Sequence, residues 1–333
     1  MTDQRELAPP QAPFGRELRR IRTERGLSLA RVAELTHYSK GYLSKIETGT
    51  KPASPDLARR LDELLDAGGH LVRILAAADR RPPREQVCPY RGLAPFEDGD
   101  ARWFFGREEA TAEALDVVGR ALRNGKPAIL VGPSGVGKSS LLHAALLPAL
   151  ARDSIDGSAS WPVLAMTPTA DPGAELARRA RLVPETSAGR IVLVVDQFEE
   201  LFTLCGSEAD RAAFISALTG IAATGRALVV LALRADFYDR CLRYPELLAA
   251  FRTNQLTVGP MTEPQLRAAI TRPAELAGLR MEPGLADLLL AETEPGALPL
   301  LSHALLATWQ EREGNTLTVA GYRRTGGIAN AVA

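Results

Sequence analysis

One short loop of the sequence carries residue types that can hold phosphate groups. It reads Gly132-Pro133-Ser134-Gly135-Val136-Gly137-Lys138-Ser139, the pattern G-x-x-x-x-G-K-S, between an apolar run at Ala128–Val131 and a helical pattern at Ser140–Leu147. Small residues let backbone N–H groups wrap phosphate oxygens, and the N-terminus of the following helix adds positive potential. Lys138 is placed to reach the β- and γ-phosphates of a nucleotide, and the Ser139 hydroxyl to ligate Mg²⁺. The loop, with Ser140 after it, is therefore predicted to bind a nucleoside triphosphate.

Three carboxylates follow another apolar run. Asp196 ends the run Ile191–Val195, and Glu199 and Glu200 come just beyond it. A phosphate loop needs a carboxylate at the tip of a neighbouring strand to order the metal, so Asp196 is predicted to hold Mg²⁺ through water. Glu199 or Glu200 would polarise the attacking water, with Glu199 slightly favoured. The alternatives are that Asp196 is only a turn residue and that the glutamates are the solvated start of a helix.

An arginine ends the next apolar run. Arg234 follows Leu228–Leu233, at the carboxyl end of a predicted strand. A cation at this position beside the loop can sense the γ-phosphate electrostatically. Pairing of Arg234 with Asp236 or Asp239 is the competing interpretation, and both stay open.

The elements that position these residues have the pattern of an α/β fold. Short apolar runs, typical of buried parallel strands, alternate with helical patterns. The predicted strands are Ala128–Val131, Pro162–Met166, Ile191–Val195 and Leu228–Leu233. From about Thr262 onward only amphipathic helical patterns occur. The sequence therefore predicts a parallel α/β domain followed by a C-terminal helical subdomain.

The N-terminal part reads as an all-α bundle of short helices. Ser28 and Ser39 are placed as N-caps, the second before a helix at Lys40–Glu47. In the preceding helix, Leu29, Val32, Ala33 and Leu35 are expected to face inward. Two short helices joined by a tight turn, the second one polar and basic on one face, have the geometry that enters the major groove of DNA.

This stretch resembles the Xre/Cro-like helix-turn-helix family. The resemblance rests on Gly26-Leu27-Ser28, on Leu35 and on Tyr42-Leu43-Ser44-Lys45-Ile46-Glu47-Thr48-Gly49. It implies binding of double-stranded DNA, with the following residues in the positions that face bases and phosphates: Ser39, Lys40, Gly41, Ser44 and Lys45. For Tyr42, core packing is favoured over base contact. Leu29 stands where the family often has a DNA-contacting Gln, and helices that bind only protein remain the alternative.

The rest of the chain resembles the STAND class of signalling P-loop NTPases, in its bacterial novel STAND group. The phosphate loop and five other motifs occur in family order. The five are Pro89-Tyr90-Arg91-Gly92-Leu93 and Phe104-Phe105-Gly106-Arg107-Glu108 before the loop, and Asp196-Gln197-Phe198-Glu199-Glu200-Leu201-Phe202, Leu233-Arg234-Ala235-Asp236-Phe237-Tyr238 and Leu298-Pro299-Leu300-Leu301 after it. The resemblance implies a switch that holds ADP at rest and exchanges it for ATP on activation, often with self-association. ATP or ADP and Mg²⁺ are the implied cofactors.

The same resemblance assigns further nucleotide contacts. Phe105, Gly106 and Arg107 are implied to lie beside the adenine and ribose. Pro299 matches a family proline that packs on the nucleotide from the helical subdomain. As the alternative, Pro299 only begins a helix at Leu300–Arg312, since proline suits a first helical turn.

The sequence departs from the family in two places. The stretch between the loop and Asp196 is short, with the strand Pro162–Met166 and one helix, Pro172–Leu182, before Ile191. In addition, the family continues beyond the position of Ala333 into a winged-helix domain and a sensor array. We expect either that the chain is truncated before that region or that it is a natural short form.

Charge is unevenly distributed along the 333 residues. Residues 14–81 hold 14 Lys+Arg and 9 Asp+Glu, a net of +5, and the other positions hold 26 and 31, a net of −5. A basic module on an acidic body suggests that one end meets nucleic acid.

The sequence is predicted to divide into five parts. They are a disordered tail at 1–13, a helix-turn-helix domain at 14–79, a linker at 80–88, an NTPase core at 89–260 and a helical lid at 261–333.

Composition excludes several classes of protein. No apolar run approaches the ~18–20 residues that span a bilayer, no signal segment is present, and three distant cysteines form no metal or disulfide pattern. A cytoplasmic location is expected. The four histidines, His37, His70, His143 and His303, are scattered and are assigned no catalytic role.

Three functions fit these patterns. The first is a DNA-binding regulator whose output is controlled by ATP or ADP and by slow hydrolysis, a weak ATPase used as a switch. The second is a DNA-binding regulator whose nucleotide is only structural. The third is a protein–protein signalling or defence scaffold whose helix-turn-helix reads no operator.

Overall fold

Each predicted type of domain folds around its own set of apolar residues. The computed structural model describes residues 12–51, 53–79, 87–182, 189–294 and 296–328. The chain divides into two units, Met1–Gln86 and Val87–Ala333. Residues 1–11 of the predicted tail and residues 80–86 of the predicted linker lie outside the described residues.

The first unit is all-helical in its described part. Ser28 Oγ accepts a hydrogen bond from the Arg31 backbone N–H at 3.1 Å and Ser39 Oγ one from Tyr42 at 3.2 Å, so both predicted caps are confirmed. Leu18, Leu43 and Leu61 are among the residues of its core. The helices are α1 (Ala12–Glu24), α2 (Leu29–Thr36), α3 (Lys40–Glu47), α4 (Pro55–Leu64) and α5 (His70–Asp79).

One inward position of α2 was predicted wrongly. Leu35 is 42% exposed, whereas Val32, Ala33 and Thr36 are buried. Positions 32, 33 and 36 share one face of the helix, and residue 35 falls outside it. The buried Thr36 hydroxyl is satisfied because it donates to the Val32 carbonyl at 2.7 Å.

The second unit is built on a parallel sheet. Five strands among the described residues pair in the order β2-β3-β4-β1-β5. Side chains of β1, β3 and β4 alternate between two apolar clusters, one on each face, and helices cover both. This explains the uninterrupted apolar runs of the strands. The strands are β1 (Ala128–Gly132), β2 (Val163–Met166), β3 (Ile191–Val195), β4 (Ala227–Arg234) and β5 (Gln255–Thr257).

The strand order corrects one expectation. Asp196 follows β3, which was expected to neighbour the loop strand, but β4 lies between β1 and β3. Strands in a sheet are ~4.8 Å apart, so the carboxylate is two strand spacings away from β1. The helix after the loop and the Asp196 side chain together span this gap. Gly132 pairs instead with Arg234 at the end of β4.

The helix after the loop is longer than predicted and changes its geometry. It runs as α7 (Lys138–Leu141), a π-helical turn (Leu142–Leu146) and α8 (Leu147–Ala151). A 3₁₀ helix at Asp98–Trp103 precedes α6. The remaining helices of this core are α6 (Glu108–Asn124), α9 (Pro172–Ala180), α10 (Glu200–Thr203), α11 (Glu208–Ala223), α12 (Tyr238–Cys241) and α13 (Pro245–Phe251).

The C-terminal subdomain is helical, but it also contains two strands. β6 (Arg280–Met281) and β7 (Thr316–Leu317) pair in parallel, so the expectation of helices alone is wrong. Two residues are too few to show the period-two pattern of a strand. The helices are α14 (Glu263–Leu276), α15 (Leu285–Glu292), α16 (Leu298–Gln310) and α17 (Val319–Arg324). None of the helices in the described part of the chain is long and apolar enough to cross a membrane.

Candidate functional site

The phosphate loop turns sharply at the carboxyl end of β1. Gly135 and Gly137 have φ values of +75° and +94°, which glycine adopts without strain. The Lys138 Nζ donates to the carbonyl oxygens of Gly132 and Pro133, both at 2.9 Å. Burial lowers the pKa of Lys138. The lysine therefore lies over the loop, at the place where phosphates would be cradled.

The predicted metal pair meets across the sheet edge. Ser139 Oγ donates to Asp196 Oδ1 at 3.1 Å, and the Gln197 backbone N–H donates to the same oxygen at 2.8 Å. A hydroxyl and a carboxylate are hard oxygen donors, which Mg²⁺ prefers. In the described ranges no group of three or more His, Cys, Asp or Glu side chains could hold a metal. The pair fits an Mg²⁺ that takes its other ligands from phosphate and water.

The two glutamates have different surroundings. Glu199 is only 7% exposed, and its Oε2 accepts the Arg234 backbone N–H at 3.1 Å. Burial raises the pKa of Glu199. Glu200 is the first residue of α10 and accepts the Thr203 hydroxyl at 2.9 Å. A solvated helix start describes Glu200 better than Glu199, which lies against the tip of β4.

Arg234 has the competing partner that the sequence suggested. Its Nε and Nη2 donate to the two carboxylate oxygens of Asp236 at 3.1 and 2.7 Å. Its side chain is 40% exposed and lines the same cavity as the loop. The guanidinium is thus at the site, and it is bound by a protein carboxylate.

A histidine that was assigned no role lies at the metal pair. His143 Nε2 is 3.7 Å from Asp196 Oδ2, and His143 Nδ1 is 3.9 Å from Asp98 Oδ1. The Asp196 carboxylate raises the pKa of His143. Burial favours the protonated form of Asp196, but contacts with His143 and Ser139 outweigh it and lower the pKa of Asp196. The signal in the sequence is the four-residue spacing from Ser139.

A cavity of about 440 Å³ opens beside the loop, within the range typical of ligand sites. Its wall includes residues of the loop helix, the carboxyl ends of β3 and β4, the segment 90–96 and the helices α14 and α16. Five aromatic residues are among those that line it: Tyr90, Phe96, Trp103, Phe104 and Phe105. A flat apolar group beside a phosphate-binding edge fits this shape.

The predicted loop residues divide into two sets around this cavity. Those that line it are Ser134, Gly135, Gly137, Lys138, Ser139 and Ser140. The Ser140 hydroxyl also accepts the Phe96 backbone N–H at 3.2 Å. Gly132, Pro133 and Val136 support the loop without lining the cavity. A Cβ at Gly132 would lie 2.4 Å from the Val258 carbonyl oxygen, so β1 and the chain after β5 approach closely there.

Of the three residues predicted to lie beside the adenine and ribose, two line the cavity and one does not. Phe105 and Arg107 line the cavity. The buried Arg107 Nη2 donates to the Val136 carbonyl at 2.8 Å, and burial lowers the pKa of this arginine. Gly106 packs elsewhere: its φ is +82°, and a Cβ there would lie 2.2 Å from the Gln265 carbonyl oxygen of α14. The structure therefore gives Gly106 a packing role.

Pro299 begins a helix and also lines the cavity, so its predicted contact with a nucleotide stays a prediction. It is the second residue of α16, where proline is tolerated. Its ring also lines the cavity and comes within 3.4 Å of the Cβ position of Gly135. The helix start thus places the proline directly over the phosphate loop.

In the first unit, the predicted DNA-facing residues form one exposed surface. Ser39, Lys40, Gly41, Ser44 and Lys45 are all exposed at α3, whereas Leu43 and Ile46 are buried under it. Tyr42 is half-buried against the core and stacks on Tyr38 at 5.4 Å between ring centroids, so its predicted packing role is confirmed. The surface is polar and basic, as a groove-entering helix requires.

Comparison with known families gives two matches. The family model described as Novel STAND NTPase 1 matches residues 89–333. A model described as a helix-turn-helix domain matches residues 13–75. Among curated proteins, no significant match was found.

Several solved structures are similar to the chain. The Orc1 protein of Aeropyrum pernix, solved in complex with DNA, is 21% identical over 67% of this chain and 65% of its own, with a TM-score of 0.49. The Thermotoga maritima RuvB Holliday junction branch migration motor is 18% identical over 70% and 72%, with a TM-score of 0.46. Domain III of the Thermotoga maritima replication initiation protein DnaA is 15% identical over 68% and 90%, with a TM-score of 0.43. The chain thus spans less than two thirds of the Orc1 protein's length.

Proposed function

The chain belongs to the novel STAND NTPase 1 family, and from that premise we propose that it is a DNA-binding regulator switched by ATP and ADP. Its helix-turn-helix domain and its P-loop NTPase domain make it a DNA-binding and nucleotide-binding regulator in general terms. The finer proposal is that ADP is held at rest, ATP is exchanged for it, and slow hydrolysis resets the switch. Nucleotide-dependent self-association and a cytoplasmic location belong to the same proposal.

The contact between Ser139 Oγ and Asp196 Oδ1 carries this proposal. Ser139 lies on the helix after β1 and Asp196 follows β3, two strands away, and the two atoms meet at 3.1 Å among the residues that line the cavity. An oxygen pair beside a glycine-rich loop supports a site for Mg²⁺ and a nucleotide. Mg²⁺, when bound, would neutralise phosphate charge.

The other residues have separate roles in the proposal. Lys138 binds the β- and γ-phosphates, and Glu199 orients the attacking water. Arg234 senses the γ-phosphate when its guanidinium leaves Asp236 and binds the phosphate instead. Pro299 carries the state of the nucleotide into the helical subdomain.

The experiment compares the nucleotide content of the wild type and Lys138→Ala. Each purified protein is denatured, and the released nucleotide is identified by chromatography. We expect stoichiometric ADP from the wild type and none from Lys138→Ala, because the variant lacks the ammonium that binds phosphate. Lys126→Ala is the matched control, since Lys126 lies before β1 and outside the cavity.

DNA binding is then measured with ATP and with ADP. The proposal requires that affinity for DNA differ between the two nucleotides in the wild type and not in Lys138→Ala. A wild-type protein that carries no nucleotide and binds none when added would contradict the switch. A nucleotide-loaded protein that binds no DNA would favour a scaffold that binds protein partners.

A further inference from the structure

His143 lies on the same helix as Ser139 and faces the same carboxylate. Residues four apart lie on one face of a helix, so Ser139 and His143 both point from the loop helix toward the end of β3. Ser139 Oγ contacts Oδ1 of Asp196 at 3.1 Å, and His143 Nε2 faces Oδ2 at 3.7 Å. One helix therefore faces both oxygens of one carboxylate, with a hydrogen bond at Oδ1 and a charged contact at Oδ2.

The backbone is unusual where His143 lies. The helix is π-helical from Leu142 to Leu146, so His143 belongs to a wider turn than Ser139 does. Such turns are rare and often occur at functional sites. The 3₁₀ helix that begins at Asp98 packs near this turn, and Asp98 Oδ1 lies 3.9 Å from the other ring nitrogen. The imidazole is therefore placed between two carboxylates.

The two contacts of the ring differ in their exposure to water. The side chains of His143 and Asp196 are 24% and 15% exposed, whereas that of Asp98 is 68% exposed. Water screens interactions at exposed groups more strongly than at shielded ones. The contact with Asp196 is therefore the stronger of the two.

We infer that His143 is a positioning residue for Mg²⁺, because its Nε2 side fixes Asp196 Oδ2 and thereby turns Oδ1 toward Ser139. This inference rests on the proposed nucleotide site. A partner that orients a ligating carboxylate typically changes metal affinity by about 10- to 100-fold when it is removed. Phosphate binding by the loop does not use the ring, so affinity for nucleotide without metal is expected to stay unchanged.

The test separates metal affinity from nucleotide affinity. The full chain is stripped of nucleotide, the dissociation constant of ADP is measured in EDTA, and Mn²⁺ binding to the ADP complex is then followed by electron paramagnetic resonance. For His143→Leu we expect ADP affinity in EDTA within about twofold of the wild type and Mn²⁺ affinity about 10- to 100-fold weaker. His143→Gln keeps an N–H donor at similar reach and should recover most of the loss. His303→Leu, which changes a histidine of α16, is the control.

Three results would overturn the inference. Unchanged Mn²⁺ affinity in His143→Leu would show that the ring does not position Asp196. Equal losses of ADP affinity in EDTA and of Mn²⁺ affinity would show a packing role for the ring. A wild type that binds no ADP under either condition would overturn the proposed nucleotide site itself, and the inference with it.

Discussion

Arg234 shows at the level of one residue how a protein carboxylate can compete with a ligand. Its guanidinium is bound by both oxygens of Asp236, and a γ-phosphate in the cavity would compete for the same donors. A hydrogen bond to a charged group contributes about 1.5–3 kcal/mol. We therefore expect Arg234→Ala to weaken ATP binding about tenfold or more, with little change for ADP. Calorimetric titration with each nucleotide measures this.

Removal of the competing carboxylate gives the opposite expectation. Asp236→Asn should leave the arginine free for phosphate, so ATP affinity should rise relative to ADP. Asp239→Asn is the matched control, because Asp239 also lies after β4 but Arg234 pairs with Asp236 instead. Equal ATP and ADP losses in Arg234→Ala would contradict a γ-phosphate role.

Glu199 is expected to act as the base in hydrolysis. Glu199→Gln should lower the rate of ATP hydrolysis about 10²- to 10⁴-fold with nucleotide binding retained, and Glu200→Gln should change it little. Burial raises the pKa of Glu199, and the base works only when ionised. Hydrolysis should therefore fall as the pH drops through that raised pKa and recover above it. If the pH profile of ATP hydrolysis were the same in Glu199→Gln as in the wild type, another residue would be the base.

The packing of α14 against the segment before α6 depends on Gly106. This residue combines a φ of +82° with a backbone contact to Gln265 on α14, so a side chain there must displace the helix. We expect Gly106→Ala to lower the free energy of unfolding by about 1–3 kcal/mol, measured by chemical denaturation. Gly220→Ala, inside α11 with nothing within 4 Å of the new Cβ, should be neutral or stabilising. Similar stability in both variants would contradict the close approach.

Local sequence patterns predicted the phosphate loop, the helix caps and four of the strands, whereas the order of the strands in the sheet depends on long-range pairing. The glycine-rich loop, the caps Ser28 and Ser39 and the first four strands follow from residue types over a few positions. β5 was missed because its three residues, Gln255–Thr257, contain one buried apolar side chain, Leu256. The insertion of β4 between β1 and β3 is decided by packing of whole strands, which no local window contains.

The sequence predicted the candidate site to about the same extent as the fold. Ser139 was predicted from the loop motif and Asp196 from its place at the end of an apolar run, and the structure brings them to 3.1 Å. His143 was missed because its four-residue spacing from Ser139 is common to many helical residues and does not by itself indicate a contact with Asp196. Its contact depends on the π-helical turn and on where β3 ends. Tertiary geometry, and not residue type, is what shows it.

Across the whole molecule, the N-terminal helical region and the rest of the chain carry opposite net charges. The net +5 of residues 14–81 opposes the net −5 of the remaining positions, so DNA binding should use the first unit and depend on salt. Lys40→Ala and Lys45→Ala should each reduce the slope of log affinity against log salt by about 1. Lys126→Ala should leave the slope unchanged. Fluorescence anisotropy at several salt concentrations measures this, and identical slopes in all variants would show that α3 does not meet phosphates.

The interior place of β1 between β4 and β5 has a consequence for synthesis of the protein on the ribosome. β1 begins at residue 128 and pairs with β4, which begins at residue 227, and with β5, which begins at residue 255. Chains grow at about 5–20 residues per second, so the loop strand waits about 5–20 s for its first neighbour. During that time a fully apolar strand has both hydrogen-bonding edges open. The helices of the first unit have all emerged by then, so the nascent second unit is the part of the chain that exposes an unpaired strand during synthesis.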